Sequence, residues 1–349
     1  MKKLNILLLA LFAFSLFGCE DDDKVTMKTE ITPPTLDELL PENLVITENT
    51  NLQDKIAYWH WAEGDYGFPA AVTYTVEADT SATFTQSTEI GTSTTTSLVV
   101  TAEMLNKAAL KYTKEAEPIT LFIRLKAILS QYEFPSVVEP VYSNIQTITL
   151  TPYTGMAIYP ENLYMIGKDF GDWNWGNAGI VEMIPVNGKE GEFWCIQYFT
   201  AANGFKWSPV KDWNGDFFEL TEKIGYTTAD GNAFVPKDGL YMVYIDMPNG
   251  KIAIEEALVY GMGDCFGGWD EKKYPFTING KTASITTSAA GELRMYAGSS
   301  IATSDWWTRE FIILDGKIVY RGNGGDQDRV RVEAGKTVTL DFSAGTGTY

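Results

Sequence analysis

The sequence predicts an all-β protein made of three tandem β-sandwich domains, the first immunoglobulin- or fibronectin-III-like and the other two built as repeats of each other. Three observations carry this. Short segments rich in β-branched and aromatic residues, often alternating apolar with polar, are punctuated by Gly, Pro, Asp and Asn. A block in the second half recurs at a constant offset of 96 residues. The 349-residue chain is long enough for two or three domains.

The amino terminus reads as a leader over residues 1–18. Lys2 and Lys3 precede an apolar run from Leu4 to Phe17, too short to span a membrane as a stable helix. The run ends Leu16-Phe17-Gly18-Cys19, an order resembling the lipobox of bacterial lipoproteins, which implies a lipid on Cys19. The acidic run "EDDD" and the polar residues to Glu30 cannot bury anything, so residues 19–30 are expected to be a solvated tether. The chain carries 27 basic against 46 acidic residues; without Lys2 and Lys3 the balance is 25 against 46, or −21. Such a charge with no basic stripe argues against nucleic acid and anionic lipid surfaces as partners. Any membrane association is expected only through the lipid.

Residues 31–152 hold the first sandwich. Its predicted strands are "NLVITEN", "KIAYWHWAEG", "AAVTYTVEAD", "ATFTQSTEIG", "TSLVVTAEML", "ITLFIRLKAI" and "NIQTITLTPY", about seven strands in about 120 residues. The stretch "TAEMLNKAALKY" has helical spacing and predicts a short helix at one end. Trp59 and Trp61 share one strand face and are expected in the core, with His60 pointing to solvent. His60 is the only histidine, so neither a His-based metal site nor a Ser-His-Asp triad has the material it needs. No cofactor is expected.

The repeats occupy residues 158–256 and 257–349. "LYMIGKDFGDW" (163–173) matches "LVYGMGDCFGGW" (258–269) at Gly167/Gly263, Phe170/Phe266, Gly171/Gly267 and Trp173/Trp269. Downstream, Lys206 corresponds to Arg294, and Asp212-Trp213 to Asp305-Trp306, with an insertion in the second copy. Each copy closes on a strand pair, "GLYMVYIDMPNGKIAI" and "KTVTLDFSAGTGTY". Cys195 and Cys265 fall in different repeats beside apolar neighbours, and two separate, partly buried thiols are expected.

Each copy thus repeats an aromatic on a Gly-rich loop, a strand cation and an Asp-Trp pair. That set suits a neutral polysaccharide, whose flat C–H faces need rigid rings and whose hydroxyls need donors and acceptors at the edge. Trp175, Trp213 and Trp306 sit among polar residues and are expected to be exposed; Trp175 is the ring expected to lie against a sugar. Trp173 and Trp269 admit two readings, a plug at the strand-to-loop corner or a ligand platform. Trp207 is assigned to the core and Lys206 to the site, because adjacent strand residues face opposite ways.

Lipobox, acidic run, immunoglobulin-like domain and tandem sandwiches opening "LYMIGKDFGDW" together resemble the SusE/SusF family of outer-membrane starch-binding lipoproteins. One sandwich followed by two carbohydrate-binding modules is closer to the SusE arrangement. The resemblance implies a non-catalytic glycan-capture protein, lipid-anchored on the outer face of the outer membrane and working beside a TonB-dependent SusC-like importer and its SusD-like partner. It implies sites at Trp175 (or Trp173), Lys206, Asp212 and Trp213 in the first module. In the second they fall at Trp269, Arg294, Asp305 and Trp306, with Arg309 a further candidate. "GGWDEK" lacks a counterpart of Trp175, and Trp307 either compensates or belongs to the core.

A surface glycoside hydrolase would need two carboxylates about 5 to 10 Å apart in a cleft, whereas Asp212 and Asp305 each stand singly beside a Trp. A structural or adhesive protein would bury the repeated tryptophans. Shallow sites predict weak binding, with Kd of about 0.1 to 1 mM per module, raised by avidity on a polymer.

Overall fold

A computed structural model of the chain describes residues 28–39, 43–129, 139–214 and 222–349. The leader, Cys19 and most of the acidic tether lie outside the described residues. The chain divides into two compact units, Met1–Ile158 and Tyr159–Tyr349.

The first unit is a sandwich of two sheets. One joins Thr35–Leu36, Lys55–Ala62 and Ser97–Thr101; the other runs Asn43–Val45, Gln146–Thr151, Ile119–Leu129, Val72–Asp79, Thr88–Ser93, with Val141–Tyr142 beside Ile119–Leu129. Alternation decides which faces meet: Ala57, Trp59 and Trp61 point into the core, while Tyr58 and His60 point out. The helix is shorter than its pattern, Ala102–Leu110, because Thr101 ends the preceding strand and caps it by accepting from the Met104 amide at 3.3 Å. Buried Asn106 ties it to the end of the unit, bonding the Tyr153 carbonyl at 2.9 Å and amide at 2.7 Å. One predicted strand is corrected. In "ATFTQSTEIG" only the part from Thr88 is extended, because the Asp79 carboxylate accepts from the Ser81 and Gln86 amides and folds the first half into a turn.

In the second unit, the first repeat is also built of two sheets, here of five strands each. Val181–Glu182, Tyr164–Gly167, Phe205–Ser208, Asn232–Phe234 and Thr227–Ala229 form one; Ile184–Pro185, Glu192–Phe199, Gly239–Asp246, Lys251–Glu256 and Glu222–Ile224 form the other. In the second repeat the strands link into one continuous sheet from Tyr274–Pro275 to Thr277–Asn279. Its segments Gly291–Gly298, Glu310–Leu314 and Thr337–Asp341 close on one core.

The two repeats share that core. Along Gly239–Asp246, Tyr241, Val243 and Ile245 fill the first repeat's own interior, and Leu240, Met242 and Tyr244 pack into the second repeat. Glu192–Phe199 behaves likewise, sending Phe193, Cys195 and Phe199 one way and Trp194 and Ile196 the other. The Trp194 ring meets Phe311 at 6.2 Å and, edge-on, Tyr320 at 5.4 Å. Strands buried on both faces explain the near-continuous apolar run "GLYMVYID". Both thiols are free and deeper than expected, Cys195 in the first repeat's core and Cys265 in the shared one. Burial raises both, Cys265 to about 12, so neither is a thiolate at neutral pH.

Candidate functional site

The strand register gives the repeat a structural meaning. Ile166 pairs with Lys206, and Met262, 96 residues further on, pairs with Arg294. Each cation therefore stands at the same place, on the strand beside the one that leads into the Gly-rich loop.

In the first repeat that loop is tightly specified. A Cβ on Gly167 would lie 2.5 Å from the Gly204 carbonyl, so only glycine permits this approach. Asp169 pins the turn by accepting from the Thr200 amide and the Asn203 side chain. Gly171, Asp172 and Trp173 then follow one another in the left-handed region, with Trp173 at φ 60°. Holding two non-glycine residues there costs of order 1 to 3 kcal/mol each, and the result sets a half-buried Trp173 indole against Trp213. The Trp173 ring stacks on Trp213 at 6.4 Å and 30°, with Lys206 Nζ 5.9 Å from its centre. Trp175 meets Trp213 at 5.8 Å and 60°.

Trp173, Trp175, Trp213 and Lys206 come together here, and one of them departs from the sequence expectation: Trp175, expected to be exposed, is partly covered. Trp213, 50% exposed, is the open ring. Trp175 is half-buried, and its indole nitrogen is enclosed without a hydrogen-bond partner among the described residues, so it braces Trp213 from the side. Trp207 is in the core, as its strand position predicts. Asp212 turns back on its own loop, accepting from the Asn214 amide at 2.8 Å and side chain at 3.1 Å.

In the second repeat Gly263 is equally obligatory: φ is 113°, and a Cβ would meet the Glu292 carbonyl at 2.4 Å. A short 3-10 turn, Asp264–Phe266, carries the chain to Trp269, which is 47% exposed and donates its indole N–H to Asp264 Oδ1 at 3.0 Å. Trp269 therefore stands clear of the core, as a ring on the hollow's rim rather than a plug. Trp306, expected to be exposed, is half-buried: it lies 6.2 Å from Trp269 and rests on Tyr296 at 5.9 Å. Trp269, Trp306 and Trp307 line a hollow of about 370 Å³. Trp307 is capped by the Arg321 guanidinium 4.7 Å above its ring, which makes it a lining residue rather than core.

A charged floor, which the sequence reading missed, underlies this hollow. Arg294 is 4% exposed and bonds Glu292 at 2.8 Å, Glu310 at 2.6 Å and Asp326 at 3.1 Å. Burial by itself would lower its pKa; the three carboxylates outweigh that and raise it, so it is permanently charged. Arg321 joins Glu310 and Asp326, and Arg329 joins Glu292. The Arg294 hydrogen bond, ahead of other causes, holds the Asp326 carboxyl below its usual range.

Arg309 is corrected. It is 5% exposed, lies outside the hollow's lining and spends its guanidinium on the Ala297 and Ser304 carbonyls and the Ser304 and Thr308 hydroxyls. Asp305 is exposed, but its carboxylate accepts from the Trp307 indole at 3.2 Å and its carbonyl caps Thr308, so it shapes the Trp306–Arg309 turn.

Among the described residues no helix is long and apolar enough to cross a membrane, and no three His, Cys, Asp or Glu side chains are grouped to hold a metal ion.

Comparison with known proteins follows the same division of the chain. The family model "SusF/SusE starch specific CBMs" matches twice, over residues 162–253 and 258–348, and "SusE outer membrane protein" matches residues 20–126. Outer membrane protein SusF of Bacteroides thetaiotaomicron is 36% identical over 211 residues, 54% of this chain and 43% of that protein. The chain therefore aligns with less than half of that relative's length. The crystal structure of SusF from the same organism covers 91% of this chain and 99% of its own at 21% identity and a TM-score of 0.44. The matched modules are binding modules rather than catalysts, in agreement with the sequence reading of a non-catalytic protein. With both repeats matched, over more than half of its length, the chain belongs to the SusF/SusE family of starch-specific carbohydrate-binding modules.

Proposed function

We propose that this protein captures starch-type α-glucan at the cell surface without cleaving it. The observation that carries the reading is a duplicated arrangement: an indole pair about 6 Å apart, one ring on a Gly-rich loop and one on the following Asp-Trp turn, beside a strand cation. Rigid rings lose little entropy on binding and match the apolar faces of a glucan, while the flanking polar groups suit its hydroxyls. In this reading Trp213, Trp173 and Lys206 serve the first module, and Trp269 and Trp306 over the Arg294 floor serve the second.

The leader of residues 1–18, a lipid on Cys19 and the acidic tether of 19–30 would hold the protein on the outer face of the outer membrane. There it would pass glycan to a SusC/SusD-like importer. The functional division proposed is residues 31–152 as a spacer and 158–256 and 257–349 as the binding modules. Support comes from the residue order of the leader, the acidic run and the family.

Native electrophoresis through gels containing soluble starch tests the reading. Wild-type protein should be retarded, and a folded Trp213→Ala, Trp306→Ala double variant should migrate as it does without starch. Equal retardation of both would sink the assignment.

A further inference from the structure

The hollow of the second repeat is built in part by the loop between the strands Lys317–Tyr320 and Val330–Val332, which contributes Arg321, Asp326 and Arg329 to its lining. Residues 321–329, "RGNGGDQDR", follow the strand Lys317–Tyr320 and are pinned from three sides. Asn187 of the first module donates to the Gly322 carbonyl at 2.6 Å and the Gly324 carbonyl at 2.9 Å. Gln327 donates to the Val319 carbonyl at 2.8 Å, and buried Val330 starts a strand paired with Leu293. The loop is therefore ordered before any ligand arrives, which removes an entropic cost from binding.

Resting on the glycan-binding reading above, we propose that this loop supplies the second hollow with a polar clamp, Arg329 and Asp326, that grips neighbouring hydroxyls of an uncharged sugar. Arg294, the positional counterpart of Lys206, is nearly enclosed, with Nε and Nη1 taken up by carboxylates. It builds the floor. Arg321 is likewise mostly covered, held by Glu310 and laid over Trp307.

The rim belongs to the other two charges. The Arg329 side chain is 70% exposed and uses Nη1 to bond Glu292 at 2.8 Å; the Asp326 side chain is 60% exposed and uses Oδ1 to accept from Arg294 and Arg321. Arg329 offers only donors and Asp326 only acceptors. Together they complement a vicinal diol, each of whose hydroxyls both gives and takes a hydrogen bond. The three arginines of the lining are balanced by Glu292, Glu310 and Asp326. The lining therefore has no net positive charge, and the chain as a whole carries −19, so a polyanionic glycan gains no attraction there.

The test uses the full mature chain carrying Trp213→Ala, which leaves the second hollow as the reporting site, titrated with maltoheptaose by tryptophan fluorescence. Adding Arg329→Ala should weaken binding about tenfold or more at unchanged Tm, as expected for loss of a charge-assisted hydrogen bond. Arg329→Gln, which keeps a donor toward Glu292, and Asp326→Asn should each lose several-fold. Binding by both Arg329 variants within about twofold of the parent, while Trp306→Ala abolishes it, would overturn the clamp and leave glucan binding intact. Tighter binding of polygalacturonate than of maltoheptaose would overturn the neutral-sugar assignment. If wild-type protein and parent both ignore maltoheptaose, the glucan reading falls and the clamp with it.

Discussion

Trp207 and Trp213 are six residues apart and do opposite work. Trp207 is enclosed among Phe205 and Tyr226; Trp213 stands half in solvent beside two other indoles. Trp207→Ala should cost about 3 to 5 kcal/mol of stability through the cavity it leaves. Trp213→Ala should cost about 1 kcal/mol or less and remove most of the first module's glucan affinity. Chemical denaturation alongside titration separates the two. Strand alternation made Trp207 legible in the sequence. The partial burial of Trp175 was not, because it depends on how Trp213, from another segment, packs against it.

Asp326 sets the pH behaviour of the second hollow. Its carboxyl is held below the usual 3.8, first by the Arg294 hydrogen bond. A depressed pKa means the tie is fully present above that usual value and is lost as pH falls through the lowered one. Binding at the second hollow should therefore be flat from about pH 8 to pH 5 and weaken only in stronger acid, below about pH 4. A titration series across that range checks it, and weakening between pH 7 and pH 5 would contradict it.

At the scale of elements, each site is a Gly-rich loop held against a strand. Gly263→Ala would force a Cβ to within 2.4 Å of the Glu292 carbonyl at φ 113°, on the strand that carries Arg294. It should destabilise the second module by about 2 kcal/mol or more and disturb its hollow, read as a lower Tm and weaker glucan binding. Gly280→Ala meets no atom within 4 Å and should show only the smaller backbone cost, about 1 kcal/mol. The loops could be read from sequence because their glycines recur at one spacing. The charged floor could not. Glu292 and Arg294, Glu310, Arg321, Asp326 and Arg329 come from separate segments that only the continuous sheet brings together, and no local period marks them.

Across the whole molecule, the sequence division into two modules omits what joins them. The alternating burial of Gly239–Asp246 could be read as a strand covered on both sides, yet nothing local says that its second cover is the neighbouring repeat. With Trp194, Met242 and Tyr244 inside a shared core, residues 159–349 should melt in one cooperative transition by calorimetry. Trp194→Ala should lower both modules together, by about 3 to 5 kcal/mol; two separate transitions would contradict a shared core. A rigid pair also holds its two sites in one fixed relation, so a polymer that reaches both gains avidity without a flexible linker.

The central claim is two glycan sites per chain, each centred on an indole pair beside a strand cation. Its most direct test is the stoichiometry of maltoheptaose binding to the mature chain by calorimetry. The account predicts two sites in the wild type, one in Trp213→Ala, one in Trp306→Ala and none in the folded double variant. Undiminished binding by the double variant would contradict it.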